Sequence, residues 1–367
     1  MSWFLAFAGF AALIILHEFG HFTAAKAVGM RVERFNLFFP PHIVDIKRGE
    51  TSYGIGAIPL GGYVKITGMN PNEDIAPEHL DRAYYRQPVW KRLVVIGAGP
   101  AMNILLAFLI LFVLFAAKGE AVNDGSVGSI QNGSAAAGVL KPGDTIVSVD
   151  GVRGDAAVLR KQIGTHACAD GVKSKGCVAA TPATVVVRRD GGLQTLKVSP
   201  RYDPAAVNED GSKGRMLIGF SFGFHYETLP VGDAASRSVT GMWDVTSATV
   251  SAITRLFYDS EARKNVSGVV GSYETTRQSF QQDDIVLALQ ILALISLSLA
   301  IVNLFPFLPL DGGHIFWALA EKVRGRPIPF RVMEQASYVG FVLVILLFVV
   351  GLTNDIDRLR GDGFGVK

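Results

Sequence analysis

The chain has 367 residues, of which 49% are hydrophobic and 18% are charged, and its formal net charge is +3. About a quarter of the residues of a soluble globular chain are charged, so this composition indicates membrane spans beside a polar part. The weak positive charge, without a basic stripe interleaved with aromatic residues, argues against a nucleic-acid-binding protein.

Four segments are apolar enough to cross a bilayer, which takes about 20 residues. They are approximately residues 3–28, 93–117, 285–304 and 338–352. Lysine and arginine concentrate in the loops 29–92 and 306–337, so the positive-inside rule predicts that both loops are cytoplasmic. The segment between the second and third spans and both termini then lie outside the cytoplasm. The first span lacks the charged leading region and cleavage site of a signal peptide, and we interpret it as retained.

The first span contains two histidines and a glutamate, which are costly in hydrocarbon unless paired, hydrated or bound to a metal. His17 and His21 are four residues apart, so their imidazoles leave the same helix face, with Glu18 beside them. This HExxH pattern supplies two zinc-binding nitrogens and a carboxylate that accepts a proton from the attacking water. A hydrated or hydrogen-bonded cluster is the alternative, which the apolar surroundings disfavour.

A third metal ligand is predicted at the end of the third span, because catalytic zinc usually has three protein ligands. In the stretch NLFPFLPLDGGH, Pro306 and Pro309 interrupt the helix near the cytoplasmic boundary. Asp311 follows at the depth of the two histidines, and Gly312 and Gly313 permit an unusual turn. We therefore predict that Asp311 is the third ligand; an aspartate that caps a helix is the alternative.

The second span begins with GAGPAMNILLA, whose small residues suit close packing of helices. Tight packing alone would account for Gly97 and Gly99. Asn103 lies one or two turns into the membrane, at the depth of His17, and needs a polar partner. We interpret Asn103 as supporting the active site, as a candidate substrate-positioning residue.

The only two cysteines, Cys168 and Cys177, both lie in the segment outside the cytoplasm, separated by residues that favour turns. An extracytoplasmic location permits a disulfide, which we predict between them. Two buried free thiols are the alternative.

HEFGH, GPAMN and NLFPFLPLDGG together resemble the site-2 protease family of intramembrane zinc metalloproteases, specifically bacterial members with a periplasmic PDZ domain. The motifs occur in the order of the family and cover nearly the whole chain. The resemblance implies that His17, His21 and Asp311 bind Zn²⁺ and that Glu18 is the catalytic acid and base. It also implies that Asn303 helps to position the substrate backbone.

The family has a membrane-associated β-element between its first two spans, and residues 49–68 fit that description. Tyr53, Ile55 and Ala57 alternate there with smaller residues, as in a strand. The resemblance implies that an unwound substrate adds here as a further strand. Gly54, Ile55 and Gly56 are the candidate positioning residues; an ordinary structural hairpin is the alternative.

The segment between the second and third spans shows alternating hydrophobic residues bounded by Pro-Gly-Asp and Asp-Gly turns, which predicts short strands. Residues 134–151 resemble the middle of a bacterial PDZ domain, a module that binds extended peptides or C termini in a groove. Such a domain would capture a partner's C terminus or exclude bulky ectodomains. The pattern of residues 234–259 predicts an amphipathic helix that lies on the outer membrane surface or against the PDZ domain. A helix that faces a protein core is the alternative.

The sequence thus predicts a polytopic α-helical membrane protein with about four transmembrane helices, an inserted α+β PDZ domain and a small membrane-associated β-hairpin. Its expected parts are an N-terminal membrane half (1–121), the PDZ domain (122–202), an extracytoplasmic linker with an amphipathic helix (203–282) and a C-terminal membrane half (283–367).

We predict a zinc endopeptidase of the bacterial inner membrane that cuts the transmembrane segments of single-span proteins, such as anti-sigma factors or remnant signal peptides, near the cytoplasmic side. The expected partners are these substrates, a peptide or C terminus at the PDZ groove, and the lipid bilayer, with no nucleic acid. A non-proteolytic metal-binding scaffold and a metal transporter are the alternatives. Glu18 beside both histidines favours hydrolysis over either.

Overall fold

The structure is a computed structural model that describes residues 1–70, 72–207, 213–256, 258–259, 263, 266–281, 285–326 and 328–361. The chain divides into two compact units. The first, here called the membrane unit, consists of Met1–Phe115 and Val231–Lys367. The second, the strand unit, consists of Ala116–Pro230.

The elements are numbered in chain order. The α-helices are α1 (Ser2–Ala27), α2 (Val89–Ala117), α3 (Ala156–Gly164), α4 (Val231–Arg255), α5 (Val269–Gln281), α6 (Ile285–Asn303), α7 (Asp311–Arg324) and α8 (Phe330–Arg360). The strands are β1 (Val32–Arg48), β2 (Thr51–Ile66), β3 (Glu120–Ile130), β4 (Thr145–Val149), β5 (Ala183–Arg189), β6 (Gly192–Val198), β7 (Arg201–Val207), β8 (Lys213–Leu217) and β9 (Phe220–Glu227). Two short 3₁₀ helices, Pro77–Arg82 and Tyr84–Arg86, precede α2.

Four helices of the described chain, α1, α2, α6 and α8, are long and apolar enough to cross a membrane. They coincide with the four predicted spans. The fourth is longer than the predicted segment 338–352, because its helix continues through the flanking polar residues on both sides as far as Arg360. The membrane unit therefore has the helices of a polytopic membrane protein.

The helices around α2 approach each other through small and polar residues. A Cβ atom on Gly20 of α1 would overlap the backbone of Ala98 in α2, so the two helices touch backbone to backbone. Ser296 Oγ of α6 donates a hydrogen bond to the carbonyl oxygen of Asn103, at 2.9 Å. Arg92 and Glu321 form a two-bond ion pair of 2.9 and 2.6 Å between α2 and α7. Helix α2 thus contacts α1, α6 and α7.

Strands β1 and β2 fold into a ribbon in which each strand is used twice. Asn36 lies opposite both Tyr63 and Gly54, and Gly54 also lies opposite Asp45. The segments are therefore ordered 62–66, 32–37, 52–55 and 44–48 across the ribbon. Gly54 is in its interior, whereas residues 62–66 form one of its edges.

Helix α4 belongs to the membrane unit. Its side chains Met242 and Val245 pack against buried residues of α2 and α6, among them Ala107 and Leu297. Trp243, one position further round the helix, is 71% exposed. The amphipathic pattern therefore reflects one face that packs on the spanning helices and one that does not.

The strand unit is built on a five-stranded sheet of order β6-β5-β4-β3-β9, with β7 and β8 forming a separate pair. Its core includes Val149, Leu159 of α3, Val185 and Phe222. Strand β9 pairs with β3, so residues beyond the expected boundary at 202 are part of this sheet. Cys168 and Cys177 form a disulfide, with their Cα atoms 5.7 Å apart.

A buried ion pair joins the loop before β4 to the end of β5. The Arg189 guanidinium donates to both oxygens of Asp144, at 2.7 and 2.6 Å, and the backbone N–H of Lys141 donates to the same carboxylate. The Arg189 guanidinium above all holds the pKa of the Asp144 carboxyl below its usual value. The stabilisation is complete above the pKa of the unfolded state, about 3.9, and is lost as the pH falls below it.

We expect Asp144→Asn to increase hydrogen exchange of the β4 and β5 amides by about tenfold or more, because it leaves Arg189 without its charged partner. Hydrogen exchange of the full chain, read by mass spectrometry at neutral pH, measures this. Asp190→Asn is the matched control, since Asp190 is exposed in the turn between β5 and β6. Equal exchange in both variants would contradict a stabilising role for the pair.

Candidate metal centre

The two histidines of α1 lie on its buried face. His17 and His21 are only 7% and 8% exposed, and their Nε2 atoms are 3.3 Å apart. The spacing of four residues brings the rings together because one helical turn separates them. Their Nε2 atoms therefore converge on one point.

Asp311 meets the two histidines from the other half of the membrane unit. Its Oδ2 atom lies 3.2 Å from His17 Nε2 and 3.3 Å from His21 Nε2. Asp311 is the first residue of α7, and the residue at the N-cap position is Leu310, without a side-chain cap. The carboxylate faces the histidines and does not cap its own helix.

The glycines after Asp311 allow α7 to fold back on the turn that precedes it. A Cβ atom on Gly312 would overlap the backbone of Leu304 and Phe305, and one on Gly313 would lie 2.5 Å from the backbone nitrogen of Leu308. Both glycines are helical, so close backbone approach, and not an unusual turn conformation, requires them here. This packing fixes Asp311 at the start of α7.

The three side chains fit a zinc ion by donor type and by spacing. Two imidazole nitrogens and a carboxylate oxygen are ligands that Zn²⁺ accepts, and bonds of about 2.0–2.1 Å in a tetrahedral site place ligand atoms about 3.3 Å apart. The three atoms in this cluster lie within 4.8 Å of one another. Asp311 Oδ2 is buried and has no hydrogen-bond partner, which is costly unless a cation is bound.

Gly99 of α2 closes the centre on one side. A Cβ atom built on Gly99 would overlap His21 Nε2 and lie 2.9 Å from His17 Nε2. The space next to both ligand nitrogens is therefore free only because residue 99 has no side chain. Close helix packing explains Gly99 when the sequence is considered alone. The sequence therefore does not predict that Gly99 leaves space beside the histidine nitrogens.

Glu18 lies beside the metal centre, on the side of the β-ribbon. Its carboxylate is close enough to interact electrostatically with His21, His17 and Asp311. A Cβ atom on Gly62 would lie 2.8 Å from Glu18 Cγ, so the ribbon edge 62–66 passes directly over this side chain. Glu18 thus lies between the three ligand atoms and an edge strand. Nothing in the sequence alone indicates that Gly62 contacts Glu18.

The candidate positioning residues occupy three different places. Asn103 is completely buried, and its side-chain nitrogen lies 3.3 Å from His17 Nδ1, behind the metal centre. Asn303 is the half-buried last residue of α6, where the chain turns towards Asp311. The structure brings Asn103 to the centre through His17, and Asn303 to the turn that carries the third ligand.

Gly54, Ile55 and Gly56 lie within the β-ribbon. A Cβ atom on Gly54 would lie 2.6 Å from the carbonyl oxygen of Val44, and one on Gly56 would overlap the backbone of Phe39. Ile55 lies opposite Leu37 on one side and Val44 on the other. The backbone at residues 54 and 55 is paired on both sides, so these residues are not placed to accept a further strand.

Comparison with known proteins identifies the family. The model of peptidase family M50 matches residues 5–347. A Rhizobium meliloti protein provisionally named a zinc metalloprotease is 33% identical over 95% of this chain and 94% of its own length. The regulator of sigma-W protease RasP of Bacillus subtilis is 27% identical, over 95% of this chain and 97% of its own length. The zinc metalloprotease Rip1 of Mycobacterium tuberculosis is 29% identical, with 94% of each chain covered. The chain therefore belongs to peptidase family M50, the site-2 proteases, and is a zinc metalloprotease.

Proposed function

We propose that this protease cuts the transmembrane segments of single-span membrane proteins, with Zn²⁺ held by His17, His21 and Asp311. The observation that carries the proposal is the convergence of these three ligand atoms on helices of the membrane unit, with Glu18 beside them. Two of the ligands lie within a helix long and apolar enough to span a membrane. With that helix in the bilayer, a peptide bond cut at this centre would come from a membrane-embedded segment.

The chemistry divides between the metal and Glu18. His17, His21 and Asp311 would hold the Zn²⁺ ion, which would supply a Lewis acid for the attacking water and the scissile carbonyl. Glu18 accepts the proton of that water and returns it to the nitrogen of the leaving amine, so that atoms and charges balance over the hydrolysis. Its place between the ligand atoms and the ribbon edge allows one carboxylate to serve both steps.

The substrate backbone would bind at the ribbon edge 62–66. A helix hides its peptide bonds in internal hydrogen bonds, so a substrate must unwind before it is cut. An unwound segment recovers hydrogen bonds by adding to an edge strand, and the edge at Gly62 is the one beside Glu18. Asn303, at the end of α6, would be a second contact for the substrate backbone.

We further propose that the enzyme lies in the bacterial inner membrane with its metal centre towards the cytoplasm, as the distribution of lysine and arginine in the loops favours. The strand unit would then be extracytoplasmic and act as a PDZ domain, with a peptide or C terminus bound in a groove of its sheet. The name of RasP connects that relative with a sigma factor. Anti-sigma factors and remnant signal peptides are therefore the substrate classes to test first.

Cleavage of a panel of tagged single-span proteins by the purified enzyme tests this proposal. We expect a cut within the span, located by mass spectrometry. We also expect the rate to fall about a hundredfold or more on chelation and to recover with added zinc, because a Lewis acid contributes several kcal/mol to such a reaction. Cuts only outside the spans would contradict intramembrane cleavage. Bound zinc without any cleavage of the panel would favour a metal-binding scaffold.

A further inference from the structure

The two histidines differ in what their Nδ1 atoms contact. These are the ring nitrogens that face away from the metal centre. His21 Nδ1 lies 2.8 Å from the carbonyl oxygen of Val95 in α2. A carbonyl oxygen can only accept a hydrogen bond, so His21 Nδ1 must donate and therefore carries the proton. In a neutral imidazole this leaves the lone pair on Nε2, the atom that faces His17 and Asp311.

His17 Nδ1 lies 3.3 Å from the side-chain nitrogen of Asn103. In that orientation Asn103 would donate to Nδ1, and the proton of a neutral His17 would be on Nε2, which could then not bind a metal. The same orientation leaves Asn103 Oδ1 buried without a hydrogen-bond partner. Nitrogen and oxygen of an amide are nearly equal in shape, and their assignment follows from the hydrogen bonds they can make.

Turning the Asn103 amide by 180° removes the conflict at His17 and gives Oδ1 a hydrogen-bond donor. The oxygen then accepts the N–H of His17 Nδ1, and the lone pair of Nε2 faces the centre. We propose that Asn103 is a positioning residue that fixes the ring orientation and the tautomer of His17 through this hydrogen bond. The inference rests on the proposed metal site and assigns one of its ligands a partner.

The arrangement of α2 supports this assignment. Val95, Gly99 and Asn103 are four residues apart, so they lie on one helix face. Val95 holds His21 through its carbonyl oxygen, Gly99 leaves room beside both Nε2 atoms, and Asn103 reaches His17. One face of α2 therefore contacts both histidines of the HExxH pattern.

Burial favours a contact of Asn103 with His17 over a direct contact with the substrate. Its exposed fraction is 0%, and its own carbonyl oxygen accepts a hydrogen bond from Ser296 Oγ of α6. The bond from Ser296 fixes the backbone of Asn103, and the side chain lies against His17. A hydrogen bond to the second nitrogen of a histidine ligand orients the ring and raises its basicity, and its loss typically weakens metal binding 10- to 100-fold.

Zinc affinity of the purified full chain, measured by competition with a chelator, tests the inference without a protease assay. We expect Asn103→Leu, which keeps the branched outline of the side chain but cannot accept a hydrogen bond, to bind zinc about 10- to 100-fold more weakly. Asn103→Asp retains an acceptor and should stay within about threefold of the wild type. Ser296→Ala, which removes only the bond to the Asn103 backbone, is the matched control and should change affinity by less than about twofold.

Equal affinity of Asn103→Leu and the wild type would overturn the inference, and so would equal losses in the leucine and aspartate variants, which would indicate packing alone. If the leucine variant does not fold, nitrogen-15 spectra of the histidine-labelled, zinc-free wild type decide, recorded at a pH where the imidazole is neutral, because zinc on Nε2 would itself place the proton on Nδ1. The signal lost in His17→Gln must then show a protonated Nδ1; an unprotonated Nδ1 overturns the inference. If zinc binding survives His17→Ala and His21→Ala, the proposed metal site itself fails, which is a different result.

Discussion

Glu18→Gln is expected to abolish peptide cleavage while about one zinc ion stays bound per chain. Glutamine has the shape of glutamate but cannot accept the proton of the attacking water. The three ligand atoms, on His17, His21 and Asp311, are unchanged by the substitution. A general base contributes roughly 10²- to 10⁴-fold to such reactions, so the rate should fall by at least that range. Cleavage of a tagged single-span substrate and the metal content of the same preparation measure both effects.

The matched control is Glu334→Gln, which makes the same chemical change at an exposed position of α8. It should cleave at the wild-type rate. Cleavage by Glu18→Gln within a few fold of the wild type would show that another group takes the proton. Loss of zinc together with activity would show that Glu18 helps to hold the metal, and a non-proteolytic scaffold would give no difference between the two variants.

The predictions from local spacing agree with the structure where a single helix determines the outcome. The positions of His17 and His21 on one face follow from the helical repeat, and Glu18 is placed beside them by the same repeat. The four long apolar segments likewise define their helices without reference to the rest of the chain. Asp311 could be matched to the histidines in depth, because Pro306 and Pro309 follow the end of the third apolar helix at Asn303.

The β-ribbon could not be derived in the same way. Alternating residues around Ile55 correctly indicate a strand, but the partners of that strand are set by pairing between distant residues. The ribbon uses β1 and β2 twice, which places Gly54 inside and Gly62 beside Glu18. A period of two shows which residues share a face of a sheet and does not show which segment forms its edge.

The strand unit illustrates the same limit. Strand β9 joins the sheet by pairing with β3, about 100 residues earlier in the chain. Phe222 of β9 is part of the buried core. The polar loop before it resembles a linker when the sequence is considered alone, and only the long-range pairing brings β9 into this unit.

Close helix packing explains Gly99 when the sequence is considered alone, and the metal centre adds a second reason for a glycine there. A residue that only allows two helices to approach could be replaced by alanine at modest cost, whereas a residue beside the ligand atoms could not. We therefore expect Gly99→Ala to lose zinc and activity. Its Cβ atom would overlap His21 Nε2 and lie 2.9 Å from His17 Nε2, so the imidazoles must turn away from Asp311. A displacement of about 1 Å at a reacting centre can cost about a hundredfold in rate, and we expect a loss of at least that size.

Gly97→Ala is the matched control, because Gly97 lies two residues earlier on α2 and a Cβ atom there would have no heavy atom within 4 Å. Both variants add one methyl group to the same helix and remove the same backbone freedom. Metal analysis and cleavage of the tagged substrate should separate them, with Gly97→Ala equal to the wild type and Gly99→Ala carrying less than about one tenth of its zinc. Zinc content equal to the wild type in Gly99→Ala would place the metal elsewhere than between His17, His21 and Asp311. Equal losses in both variants would assign the defect to packing of α2, and the metal centre would then not explain the glycine.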